Sequence, residues 1–177
     1  MKYNLFLLFS LLSLSIANAQ DIMTVKGGKQ YTATPVWNFL CENYSYDGDL
    51  ETQIAKTETG GILRLAIDVS NNNLIIGGRV YIILDNGSFI YCSDKGIREY
   101  KNGQSIAYYY LTSVELSKLN TNRIENIRFR ILGKSDSFSS DTGYFTATNK
   151  KQLLDPFDKS VNKLDTKADI QMIFKSK

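Results

Sequence analysis

The chain contains no histidine. That removes Ser-His-Asp and Cys-His nucleophilic catalysis, imidazole acid–base chemistry and every histidine-containing zinc site, because imidazole is the side chain that titrates near neutrality without a shift. Cysteine and proline are scarce, two of each in 177 residues. Neither charge sign dominates: 21 basic residues stand against 18 acidic ones, a balance that argues against nucleic acid as a partner. Neither G-x-G-x-x-G nor G-x-x-x-x-G-K-[ST] occurs, so both glycine-rich phosphate cradles are missing. An enzyme built from this chain would work through carboxylates, Lys, Tyr, Cys or a borrowed cofactor. No spacing of acids predicts the pair held ~5–10 Å apart that glycoside hydrolysis needs. No cofactor and no resident metal are expected.

One long hydrophobic run is present, LFLLFSLLSLSI over residues 5–16, behind a positive Lys2. It is too short to cross a bilayer, which takes ~20 helical residues, but it suits the centre of a signal peptide. Ala17 and Ala19 are the small residues a signal peptidase accepts at −3 and −1. The sequence therefore predicts a signal peptide over 1–19 and a mature chain from Gln20. The protein would be secreted or periplasmic, with no membrane anchor after cleavage. Loss of Lys2 leaves 20 basic against 18 acidic residues, a net charge of +2. Residues 20–177 suit a single β-rich domain, since roughly 100–200 residues usually build one core.

Export would place Cys41 and Cys92 in an oxidising space, where the pair can form one disulfide. The bond would close a loop of about 50 residues and contribute ~4 kcal/mol in the chain-entropy model. Two buried thiols are the alternative, because spacing alone does not bring two Cβ atoms together.

Period-two patterning dominates the rest of the chain. Leu63, Leu65, Ile67 and Val69 alternate with Arg64, Ala66 and Asp68, which predicts a strand with one buried face. Asn86-Gly87 separates residues 79–84 from 88–92, the signature of a two-residue type I′ hairpin pairing Leu84 with Phe89, Ile83 with Ile90, Ile82 with Tyr91 and Tyr81 with Cys92. Asn102-Gly103 marks a second hairpin between 97–100 and 105–111. Thr112 and Glu115 stand at the N-cap and N3 spacing of a capping box, predicting a short helix through Leu119. Ile127, Phe129 and Ile131 alternate with Arg128 and Arg130. Residues 36–41 read as a strand with Trp37, Phe39 and Cys41 on one side, and 144–148 as another. Residues 154–164 read as a surface connection or a turn of helix, and 169–174 as a final strand. Seven or eight short strands and one short helix predict an all-β fold, an antiparallel β-sandwich with a barrel as second choice. The immunoglobulin pattern is not met, because Trp37 precedes the first cysteine and Ile90 stands where the tyrosine two before the second should be.

Candidate sites follow from residue chemistry. Tyr108, Tyr109 and Tyr110 place at least one ring on each face of their strand, and an exposed ring can stack on a sugar or anchor a protein. Ile106 shares the face of Tyr108 and Tyr110, which favours the core for Tyr108 and exposure for Tyr110. Asp47, Asp49 and Glu51 alternate in a turn-like segment that could hold Ca²⁺, but the EF-hand continuation is absent, so they read as solvated loop acids. The acidic loop from Asp136 to Asp141 is weaker still. Arg128 and Arg130 could form an anion-binding ladder with Arg79 or Arg98, and read first as solvated surface charges. Asn43 and Asn86 head glycosylation sequons. The resulting expectation is an exported, non-enzymatic binding or interaction module for a protein or glycan, with Tyr110 and Tyr108 as candidate binding residues. A small carboxylate-dependent envelope hydrolase and an inhibitor or immunity-type protein are the alternatives.

Overall fold

A computed structural model describes residues 21–43, 46–134, 141–150 and 163–175. The expected signal peptide, residues 136–140 of the acidic loop and most of the 154–164 connection lie outside them. Twelve strands and two helices occur among the described residues, and the fold is all-β and antiparallel. In chain order the strands are β1 (Asp21–Thr24), β2 (Gln30–Ala33), β3 (Trp37–Asn43), β4 (Tyr46–Lys56), β5 (Gly60–Asp68), β6 (Leu74–Ile76), β7 (Val80–Leu84), β8 (Phe89–Cys92), β9 (Arg98–Lys101), β10 (Gln104–Thr112), β11 (Ile124–Gly133) and β12 (Asp141–Thr148). The helices are α1 (Ser113–Thr121), between β10 and β11, and α2 (Thr166–Lys175) at the end.

The sheet runs β8-β7-β11-β12-β3-β4-β5-β10-β9 and curls into a half-barrel. Its inner face is one apolar cluster that takes Trp37 and Phe39 from β3, Leu63, Leu65 and Ile67 from β5, and Phe129 from β11. Leu116 and Leu119 of α1 and Ile170 and Ile173 of α2 join the same cluster. β6 helps to span the opening. Ile76 pairs with Ile131 of β11, while its N–H donates to Ser105 Oγ of β10 at 2.8 Å. Strand β5 departs from the one-faced expectation, being buried on both faces. The reason is the β1–β2 ribbon, whose Met23 and Ala33 cover Ala55, Ile62, Ala66, Ile106 and Tyr108 on the outside of the sheet.

The capping box is present: Glu115 N–H donates to Thr112 Oγ1 at 3.2 Å, and Thr112 N–H to Glu115 Oε2 at 2.7 Å. The expected final strand over 169–174 is instead helix α2. Asp165 Oδ1 accepts from Ala168 N–H at 3.2 Å, a helix start, and Trp37 Nε1–H donates to Asp169 Oδ2 at 2.8 Å. Ile170 and Ile173 then share the buried face, three residues apart as a helix requires.

The two Asn-Gly hairpins differ. At the second, Asn102 and Gly103 both have positive φ (53° and 83°), and Lys101 pairs with Gln104 across a two-residue type I′ turn. At the first, only Gly87 is left-handed, with φ 80°. Asn86 accepts from Ser88 N–H (2.9 Å) and Ser88 Oγ–H (2.7 Å), and Leu84 N–H reaches Ser88 C=O, which makes a three-residue loop. The pairing is therefore shifted by one from that expected: Ile83 with Phe89, Ile82 with Ile90, Tyr81 with Tyr91 and Val80 with Cys92. A one-residue slip exchanges faces. Val80, Ile82, Ile90 and Cys92 enter the core, and Tyr81, Phe89 and Tyr91 line up outside.

Candidate functional site

Strand β10 separates its three tyrosines by alternation. Tyr109 points into the half-barrel, where burial raises its pKa and its hydroxyl donates to Gly78 C=O at 3.3 Å. Tyr108 points outward but is 4 % exposed, because the β1–β2 ribbon covers it. Its hydroxyl donates to Glu99 Oε1 at 2.5 Å, and burial together with that carboxylate pushes its pKa up to about 12. Tyr110 lies beyond the ribbon and is 54 % exposed. Of the two candidate binding residues, the structure makes Tyr110 accessible and places Tyr108 in the second apolar cluster.

Tyr110 borders two adjoining grooves. One, of about 440 Å³, lies where β8 faces the far half of β10, since β9 pairs only with residues 104–107. Tyr91, Ser93 and Lys95 line one side of it and Tyr110, Thr112 and Glu115 the other, with Thr57 and Thr59 completing the wall. The other groove, of about 560 Å³, runs from Tyr110 past Thr57 and Glu58 to Lys29 and Tyr31 of the ribbon. Lys29 sits 5.1 Å above the Tyr31 ring, and its pKa is raised chiefly by the Tyr31 hydroxyl. Across the two grooves, three aromatic rings, several hydroxyls, three ammonium groups and two carboxylates suit a polar, ring-shaped ligand. Glu115, the carboxylate of the smaller groove, is engaged in the helix cap.

The outer face of β8, β7, β11 and β12 was not legible as a unit in the sequence. Ring centroids of Tyr81 lie 6.4 Å from Phe89, 6.0 Å from Tyr91 and 5.8 Å from Tyr144. Arg79 covers the Tyr91 ring at 5.3 Å, and Arg128 and Arg130 flank the Tyr144 ring at 5.2 and 5.6 Å. Desolvation and a hydrogen bond with Tyr81 raise the pKa of Tyr144. Three of the four arginines considered for a ladder do converge here. Arg98 is set apart in an ion pair with Asp94. The available signal was the three-residue turn at Asp85-Asn86-Gly87, which decides that Phe89 and Tyr91 face outward.

The expected disulfide is absent. Cys41 and Cys92 are two buried thiols on β3 and β8, and β7, β11 and β12 stand between those strands in the sheet. Neighbouring strands are ~4.8 Å apart, whereas a disulfide needs Cα atoms within ~7 Å. Burial, aided by Glu115, pushes the Cys92 thiol up to about 12. The acidic segment is not a loop: Asp49 and Glu51 belong to β4, where Glu51 pairs with Arg64 at 3.1 Å and accepts from Gln104 at 2.9 Å. Among the described residues no cluster of three His, Cys, Asp or Glu side chains could hold a metal. No helix among them is long and apolar enough to cross a membrane. The Asn86 sequon sits in the first hairpin turn, and that of Asn43 runs into residues 44–45, outside the described residues.

Comparison of the chain with models of known protein families, with curated proteins and with solved structures returns no match in any of the three.

Proposed function

We propose that the protein is an exported, non-enzymatic binding module whose ligand is a glycan held in the two grooves that meet at Tyr110. The observation that carries this reading is Tyr110 itself, a half-exposed ring bordering both grooves, with Tyr91 across the smaller one. A sugar presents an apolar C–H face to a ring and hydroxyls around its rim, and Thr57, Thr59 and Ser93 supply partners for the rim. Both volumes fall in the usual range of ligand pockets, ~300–1,000 Å³. Their junction suits a ligand longer than one sugar.

A glycan array followed by calorimetry on the best binder tests the reading. Tyr110→Ala should weaken binding about tenfold or more, as loss of a central ring does, while the melting temperature stays near that of the parent. Tyr108→Ala should instead cost ~3–5 kcal/mol of stability through lost burial. An array without binders, or a Tyr110→Ala variant that binds as well as the parent, would remove the glycan reading.

A further inference from the structure

We propose that the outer face of β7, β8, β11 and β12 is a docking surface for a second protein, one that presents a cluster of carboxylates around an apolar side-chain pocket. The proposal does not depend on the glycan reading, although Tyr91 borders both regions.

Among the described side chains the charge on this face has one sign. Its outward positions include Phe89 and Tyr91, Tyr81 and Ile83, Asn126, Arg128 and Arg130, then Tyr144, Thr146 and Thr148, and none of these is a carboxylate. Arg79 leans over it from just before β7. Among the described residues Arg79 and Arg128 form no ion pair. Their guanidinium groups are held in place by the rings beneath them, so little side-chain freedom is lost when a carboxylate arrives.

The same stacking argues for a protein rather than a sugar. Stacking on a sugar needs an open ring face, and here Arg128 and Arg130 flank the Tyr144 ring at the centre of the face. What remains open is the guanidinium edges and Phe89, 61 % exposed and without a polar group to hydrate. A bare aromatic knob beside paired arginines is the composition of protein interface centres, which are enriched in Phe, Tyr and Arg. The partner that complements it offers acids to Arg79 and Arg128 and an apolar hollow to Phe89.

Selection of a displayed random-peptide library on the folded chain provides the probe. Selected peptides should carry Asp or Glu beside an apolar residue, and added salt should weaken them. The double variant Arg79→Gln/Arg128→Gln and the single variant Phe89→Ser should each reduce binding of a selected peptide about tenfold. Arg128→Gln alone, at an exposed position, preserves the test should the double variant fold poorly. Failure to select any peptide, selected peptides without acids, or equal binding by the variants would overturn the proposal. So would a polyuronate probe that binds this face more tightly than the peptides and is lost in the same variants, since the face would then take an acidic glycan. The Tyr110 variant separates the two sites, because it should leave peptide binding intact.

Discussion

Tyr108 and Tyr109 are chain neighbours that belong to different clusters, and Tyr110 belongs to neither. Alternation along a strand accounts for the first division. The second is a matter of cover, because Tyr108 and Tyr110 share a face and differ only in whether the β1–β2 ribbon extends over them. Burial also sets the titration of this region. The Cys92 thiol is raised from 9.0 to about 12 and the Tyr108 hydroxyl from 10.0 to about 12, with Tyr109 raised as well. Each group keeps its proton longer in the folded state than in the unfolded one. Stability from this source is complete below the unfolded pKa values and declines as pH rises from about 9 towards 12. Denaturant melts at stepped pH should be level up to about pH 9 and then fall, by at most ~1.4 kcal/mol per pH unit for each such group. In Cys92→Ala the decline above pH 9 should be shallower, and an unchanged slope would place the thiol in solvent. The sequence left the cysteines divided between a disulfide and two buried thiols. Their place on separated strands decides for the thiols, and no local signal carries that separation.

At the scale of single elements, the capping box and the alternation of Ile127, Phe129 and Ile131 were readable because both are local. The two Asn-Gly pairs were not distinguishable by the dipeptide. Asn102 occupies a left-handed conformation, whereas Asn86 keeps a negative φ and acts through its side chain. Replacement by glycine should therefore have different effects. Asn102→Gly, which relieves a side chain at φ 53°, should leave stability within ~0.5 kcal/mol, the relief offset by a freer unfolded chain. Asn86→Gly loses both acceptor contacts with Ser88 and should cost ~1–1.5 kcal/mol. Urea titration of the two variants measures the difference, and equal losses would mean that both hairpins use the same turn. Helix α2 shows the opposite ambiguity. Ile170, Met172 and Phe174 suit a strand as well as Ile170 and Ile173 suit a helix, and packing of the Ile170–Ile173 face on the open end of the half-barrel decides between them.

At the scale of the molecule, two apolar clusters lie on opposite faces of one sheet. The inner one holds most of the strands together, and the outer one is closed by a ribbon whose ladder meets the main sheet through a single residue pair, Ala33 with Ala55. Thr34 strengthens that joint, accepting from Ile54 N–H at 3.1 Å and from Gln53 Nε2–H at 2.8 Å through its carbonyl. A ribbon so attached opens more readily than the strand beneath it. Hydrogen exchange should show amides of β1 and β2 exchanging at least about tenfold faster than those of β5, a difference of ~1.4 kcal/mol in opening free energy. Equal protection would make the two clusters one cooperative unit.

The sequence by itself determined the all-β class, the two hairpin sites, the α1 cap and which residues of β11 face inward, because each follows from spacing within ten or so residues. Only the tertiary structure decided that β5 is covered on both faces, that Tyr108 is buried while Tyr110 borders two grooves, and that Arg79, Arg128 and Arg130 meet Tyr81, Tyr91 and Tyr144 on one surface. Those features join strands far apart in the chain, and the face a residue takes there depends on a one-residue choice of register that becomes visible when the neighbouring strand is in place.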